Sequence, residues 1–214
     1  SIWLSAAGVF ISAFTWKKRN RGKHLPLFAF FAVGVYLLVT FGSLGVTWEV
    51  LMLIPWAFGW TETINVLLTR TLFWSFGHTL VNVWYLVAVS AWYIVLPKVI
   101  GGKIFSDSLA RLVVILIVIL NVPGGFHHQI VDPGFTEGLK FMHLFMSLAI
   151  GFPSLMTAFA LFATLERAGR HAGGKGLFGW FFKLPWKDVR FITIMLAMIS
   201  FIFSGAGGIA QTNN

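Results

Sequence analysis

The sequence contains no cysteine, only seven acidic residues, and just 11% charged residues among its 214 positions. Without cysteine there is no disulfide scaffold, no thiolate metal site and no iron–sulfur cluster. Soluble domains carry about 25% charged residues, and less than half that share calls for an apolar solvent outside the protein. A disordered chain is excluded on the same ground, because 57% of the residues are hydrophobic and 17% are aromatic. The mean hydropathy of +0.83 agrees. What remains unusual is a formal net charge of +9, which invites a nucleic-acid reading until the positions of the charges are considered.

A bilayer core about 30 Å thick needs about 20 apolar residues per helix. Segments 25–47, 71–97, 109–130, 139–165 and 190–210 meet that requirement. The opening stretch SIWLSAAGVFISAFTW is apolar, starts without methionine and has its basic residues after it. It is therefore expected to be half of a sixth span and not a signal peptide. The expected fold class is an all-α transmembrane helix bundle. Residues 1–214 are expected to be one piece of a single transmembrane domain, truncated at both ends.

Fourteen of the sixteen Lys and Arg residues fall in or beside the first, third and fifth connections (16–24, 98–108 and 166–189). The opposite connections, 48–64 and 131–138, hold Glu49, Glu62, Asp132 and Glu137 and no basic residue. That alternation is the positive-inside pattern. It assigns the basic loops to the cytoplasmic side and removes nucleic acid as a partner, leaving the lipid bilayer, expected to be a prokaryotic inner membrane. Trp16, Trp48, Trp56, Trp60, Trp180 and Trp186 fall in or beside connections, as an interfacial aromatic belt requires. Gly-Gly-Lys-Gly at 173–176 lacks the strand and the Ser/Thr of a phosphate loop. Gly205, Gly207 and Gly208 are expected to permit close helix packing.

Ionisable groups within a span are costly and point to function. His24 and His171 lie in basic loops and read as solvated; His143, alone near the outer start of a span, reads as interfacial. His78 lies eight residues past Arg70, about 12 Å deep at 1.5 Å per residue. His127 and His128 lie four or five residues before Asp132, about 6–8 Å below the same face. Three imidazoles at one depth on consecutive antiparallel spans, preceded by Gly124-Gly125, suit a copper, iron or zinc ion. Histidines hydrogen-bonded across helices, or wetted at the interface, are the alternative.

The residues then become recognisable. Trp74-Ser-Phe-Gly-His78, Leu96-Pro-Lys, Gly101-Gly-Lys-Ile-Phe-Ser-Asp-Ser-Leu-Ala-Arg111, Gly125-Phe-His-His-Gln129 and Asp132-Pro-Gly resemble catalytic subunit I of the heme–copper oxidases. Pro153-Ser-Leu-Met-Thr-Ala-Phe159 and Gly176-Leu-Phe-Gly-Trp180 make it look closest to the B-type branch. The resemblance implies about five and a half spans of a fold with twelve or more helices. It implies two hemes in the full subunit and a non-heme copper or iron on His78, His127 and His128. No histidine here matches a heme ligand. The implied partners are the remaining helices of subunit I and an electron donor: cytochrome c, a copper-centre subunit or a quinol-oxidising subunit. Tyr93, Ser154 and Thr157 match residues lining the branch's cytoplasmic proton channel; hydroxyls bonding back to their own helix are the alternative.

One departure stands out. Four residues after the metal-binding histidine, the oxidases carry a tyrosine cross-linked to a metal-ligating histidine; here that position is Asn82, and Thr79 replaces the usual proline. Splitting the O–O bond without releasing peroxide takes four electrons, one of them from that phenol in the oxidase scheme. An amide gives neither electron nor proton. Coupling two nitric oxides to nitrous oxide takes two. The expected function is therefore a respiratory terminal oxidoreductase of nitric-oxide-reductase type, with Asn82 as a weak neutral ligand or substrate contact; a helix-packing amide that only bonds a neighbour is the alternative for this residue. The alternatives are a true cytochrome c or quinol oxidase reducing oxygen with proton pumping, rescued by Tyr85, and a non-catalytic structural paralogue. A transporter would show paired helix interruptions, which the sequence lacks.

Overall fold

The computed structural model describes residues 2–212, without the side chains of residues 122–124, 126, 209 and 212. Among the described residues it is 79% helical, with no strands. Seven α-helices follow in order: α1 Ile2–Arg19, α2 Leu27–Ala57, α3 Val66–Val99, α4 Asp107–Gly124, α5 Glu137–Ala149, α6 Gly151–His171 and α7 Val189–Thr212. Two short 3₁₀ turns, Gly125–Gln129 and Phe181–Lys183, interrupt the connections after α4 and α6. Three helices start where a polar side chain accepts from an unpaired amide of the first turn. Asn65 caps α3 through Leu68, Ser106 caps α4 through Leu109, and Thr136 caps α5 through Leu139.

Among the described residues, four stretches are long and apolar enough to cross a membrane: Leu27–Ala57, Val66–Val99, Glu137–His171 and Val189–Gly208. Three of the expected spans differ in their boundaries. Helix α2 continues ten residues past 47, because Val50–Ile54 is unbroken apolar sequence and Pro55 enters only in the final turn. Glu49, Trp48 and Trp56 are therefore helical and not in a loop. The span expected over 139–165 divides at Ile150. Pro153 has no N–H to give the Ala149 carbonyl and its ring crowds that oxygen, so α5 ends there and α6 begins. Segment 109–130 is likewise shortened: α4 ends at Gly124 and the histidine pair rides on the 3₁₀ turn.

Polar side chains are buried beside the apolar core, and large apolar ones are exposed. Thr79, Asn82, Asn121, Thr157 and Thr164 are buried, whereas Leu4, Phe14, Phe152 and Phe203 are largely exposed. A lipid-facing surface needs no polar cover, and polar groups find partners only inside. The core joins Phe31 and Leu38 of α2, Leu86 of α3, Ile117 of α4, Leu165 of α6 and Phe191 of α7. The largest interface is α2 against α3, drawn together by glycine. A Cβ on Gly42 would sit 3.1 Å from Thr79 Cβ, and one on Gly45 would overlap Ser75 Oγ and lie 2.9 Å from the Leu72 carbonyl.

Long-range contacts group the connections into two faces. The Phe105 amide donates to Thr164 Oγ1 at 2.9 Å, and the Arg111 guanidinium lies over the Phe30 ring at 5.1 Å. These tie together the ends that carry the fourteen basic residues. The two remaining basic residues, Arg70 and Lys140, are both neutralised on the other face, by Asp132 and Glu137. The Gly-Gly-Lys-Gly segment terminates α6: Gly173 adopts φ +89°, and the Gly174 amide returns to the Gly169 carbonyl at 3.0 Å. Gly205, Gly207 and Gly208 have no close neighbour within the described chain. Nothing in the described chain lies within 4 Å of a Cβ built on any of the three, because the end of α7 runs past its neighbours; Gly205 and Gly208 border a cavity instead.

Candidate metal centre

Helix α3 carries His78 on the face turned to α4, and the 3₁₀ turn after α4 brings His127 and His128 against it. The ring centroids of His78 lie 4.8 Å from His127 and 5.7 Å from His128, and the adjacent pair are 4.2 Å apart. One nitrogen from each ring falls within 4.8 Å of the others. Nitrogens sharing an ion at about 2.0–2.1 Å lie within roughly 4 Å of each other, so small ring rotations close the set. Neutral imidazoles are the ligands that copper, iron and zinc accept, and the three residues fit such an ion.

Each ring is held from outside the cluster. Trp74, one helical turn before His78, stacks on His128 with centroids 3.9 Å apart and planes 11° from parallel. His127 Nδ1 is 3.0 Å from Ser147 Oγ on α5, which leaves Nε2 as the nitrogen this residue could offer a metal. The approach of the turn to α3 depends on Gly125: a Cβ there would lie 3.0 Å from the Trp74 carbonyl oxygen and 3.3 Å from His78 Cβ. On the outer side, Arg70 grips Asp132 through Nε at 2.6 Å and Nη2 at 3.1 Å, and the buried Gln129 amide donates to the same carboxylate at 3.3 Å. This strut joins the helix bearing His78 to the connection bearing the other two histidines.

Asn82 is buried one turn beyond His78. Its Nδ2 donates to Asn121 Oδ1 at 2.7 Å and lies 3.3 Å from both His78 Nε2 and the His78 carbonyl. Asn121 Nδ2 in turn donates to Thr79 Oγ1 at 2.9 Å. Sequence reasoning passed over Asn121, although an amide closing the apolar run Leu112–Leu120 was a signal of the same kind as a histidine in a span. Trp74 and Ser147 were also missed; the i to i+4 spacing of Trp74 and His78 was the only hint.

The cluster borders a cavity of about 640 Å³, lined mainly by apolar groups, with His78, Asn82, His127, His128, Ser154 and Phe201 on its wall. Among the described residues, no histidine outside the cluster borders this cavity. Tyr85 is not on that wall. Its hydroxyl is 2.8 Å from Thr157 Oγ1, and its ring stacks on Phe201 at 5.2 Å. Thr157 and Ser154 also donate back to the Pro153 and Ile150 carbonyls. The Tyr93 hydroxyl is buried without a hydrogen-bond partner among the described residues. His143 is fully buried and tilted over Phe135 at 5.8 Å. The interfacial reading of His143 is thereby corrected: the 131–136 connection folds over the start of α5 and covers it.

The sequence matches the protein family described as "Cytochrome C and Quinol oxidase polypeptide I" over residues 1–214. It is 45% identical over 214 residues to "Cytochrome c oxidase subunit 1" of Thermus thermophilus, covering all of this chain and 38% of that protein. It is 24% identical over 217 residues to "Quinol oxidase subunit 1" of Sulfolobus acidocaldarius, again covering 38% of the relative. A cryo-EM structure of a heme–copper terminal oxidase dimer superposes with a TM-score of 0.87 at 37% identity, over 94% of this chain and 36% of the other. The chain thus spans under two-fifths of the length of these relatives.

Proposed function

The chain belongs to the cytochrome c and quinol oxidase polypeptide I family, subunit I of the heme–copper oxidases, and on that premise we propose that it forms the metal-holding part of a respiratory terminal oxidoreductase. The observation that carries the reading is the triad of imidazoles at the wall of an apolar cavity. His78, His127 and His128 would hold a non-heme copper or iron ion. When bound, such an ion supplies an electron and a Lewis-acidic site opposite a heme. The protein's own share is positional: Trp74 and Ser147 fix two rings, Gly125 admits the turn, and the apolar wall excludes water.

Oxygen is the leading substrate, because the named relatives are cytochrome c and quinol oxidases; none of them names nitric oxide. That reverses the order expected from Asn82 alone. Nitric oxide reduction is the second reading, and one observation favours it. The position one turn beyond His78 holds an amide engaged with Asn121, and Tyr85 gives its hydroxyl to Thr157 and does not line the cavity. Anaerobic nitric oxide consumption and oxygen uptake by the purified complex decide between them. Rapid oxygen uptake with no nitrous oxide formed establishes the first reading; the opposite result establishes the second. A complex with hemes but no non-heme ion would sink both.

Protons for either reaction would enter from the basic face, which the charge pattern makes cytoplasmic. Tyr93, Ser154 and Thr157 would carry them, with the Tyr85–Thr157 pair as one link and the unpartnered Tyr93 hydroxyl as a place for water. Electrons would come from cytochrome c, a copper-centre subunit or a quinol-oxidising subunit. The remaining helices of subunit I would hold both hemes, and the whole would lie in a prokaryotic inner membrane.

A further inference from the structure

Asn82 and Thr79, the two positions that differ from what the resemblance implies, are joined through Asn121. Thr79 Oγ1 lies 2.6 Å from the Ser75 carbonyl oxygen, which can only accept. The Thr79 hydroxyl proton is therefore spent on Ser75, and toward Asn121 the oxygen can only accept. Asn121 must present Nδ2 to Thr79, at 2.9 Å, and its oxygen to Asn82, at 2.7 Å. Asn82 must then present Nδ2 to Asn121. Its Oδ1 is the atom left for the cavity that Asn82 lines. Thr79, Asn82 and Asn121 are 3%, 7% and 1% exposed, so no bulk water competes to turn an amide round.

We propose that Thr79 and Asn121 are positioning residues: anchored on the Ser75 carbonyl, they form a one-way hydrogen-bond relay that locks the Asn82 carboxamide with its oxygen toward the gas cavity. The proposal rests on the function given above, with the gas reacting beside the three histidines that border that cavity. It explains why the hydroxyl at 79 accompanies the amide at 82. A proline at 79 has no group to accept from Asn121, which would leave a buried donor unpaired. It also makes the cavity face of residue 82 a fixed neutral acceptor where a phenol would be a donor. A Cβ built on Gly42 would lie 3.1 Å from Thr79 Cβ and Cγ2, so the glycine leaves the room this side chain occupies.

The test uses the reduced, purified holo-complex with carbon monoxide as the probe, read by infrared spectroscopy, alongside metal content. The unaltered complex is expected to give one narrow carbonyl band. T79V, which only exchanges the hydroxyl for a methyl, and N121L are each expected to displace or split that band at unchanged heme and metal content. The T79V/N121L double variant should do no more than either alone, since both break one chain, and T79S should restore the parent band. An unmoved band in T79V overturns the relay, as does a double variant whose displacement is the sum of the singles. If N121L does not assemble, the T79V and T79S pair still decides. Absence of non-heme metal from the unaltered complex would defeat the function assigned above, while the heme carbonyl band would still report on the relay.

Discussion

Gly125→Ala isolates the contact that seats the histidine turn on α3. Gly125 has φ −65° and ψ −15°, a conformation alanine adopts freely, so backbone strain plays no part. The added Cβ would meet the Trp74 carbonyl oxygen at 3.0 Å and His78 Cβ at 3.3 Å, where ordinary contact begins at 3.4 Å. Both neighbours belong to a long helix that does not yield, so the turn must retreat by about 0.4 Å, carrying His127 and His128 with it. Overpacking of this kind costs about 1–3 kcal/mol, offset by about 0.5–1 kcal/mol from the better helical residue. Net destabilisation is therefore about 1 kcal/mol. The larger effect falls on the ion, because disturbing groups that orient ligands weakens metal affinity about 10–100-fold. The assay is the non-heme metal to heme ratio by mass spectrometry after graded chelator dialysis, with Gly138→Ala as the control, since nothing lies within 4 Å of a Cβ there. Chelator resistance of Gly125→Ala equal to that of the control would refute the reasoning.

Other perturbations follow from the same geometry. Gly45→Ala drives a methyl into Ser75 Oγ and the Leu72 carbonyl; the thermal midpoint should fall by the equivalent of about 1–3 kcal/mol, measured in detergent by tryptophan fluorescence. Arg70→Gln cuts a pair in which Arg70 is about half exposed and Asp132 is 14% exposed. The expected cost is about 0.5–1 kcal/mol, falling as salt rises, and a loss above 3 kcal/mol would show the strut to be more than a surface pair. Asp188 is held down to about 2 by its hydrogen bond from the Arg190 side chain. Because the folded value lies below the unfolded one, its contribution is present above about pH 4 and disappears as pH falls through 2. Asp188→Asn should flatten that part of an acid-unfolding curve, and a curve that keeps its shape would exclude the pair as its origin.

Much of the candidate site could be read along the chain because its members are scarce. In a sequence with 11% charged residues, a histidine in a span stands out, and depth counted from Arg70 and Asp132 placed three of them together. The structure then showed Arg70 and Asp132 bonded to one another, the reason both depth counts had a common origin. Other members were hidden because nothing local marks them. Ser147 meets His127 across 20 residues, and Asn121 meets Asn82 and Thr79 across 39 and 42. His143 looked interfacial by position, yet a connection lying over it decided its burial.

By itself the sequence determined an apolar helical chain, the two faces on which its charges gather, and which side chains can ligate a metal. Those properties follow from composition and from the fixed 1.5 Å rise of a helix. The tertiary structure decided where α2 ends, that a proline splits α5 from α6, and which amide faces which. These depend on contacts between residues far apart in sequence, where steric fit and the obligation of every buried donor to find an acceptor leave one arrangement among many that helical periodicity allows.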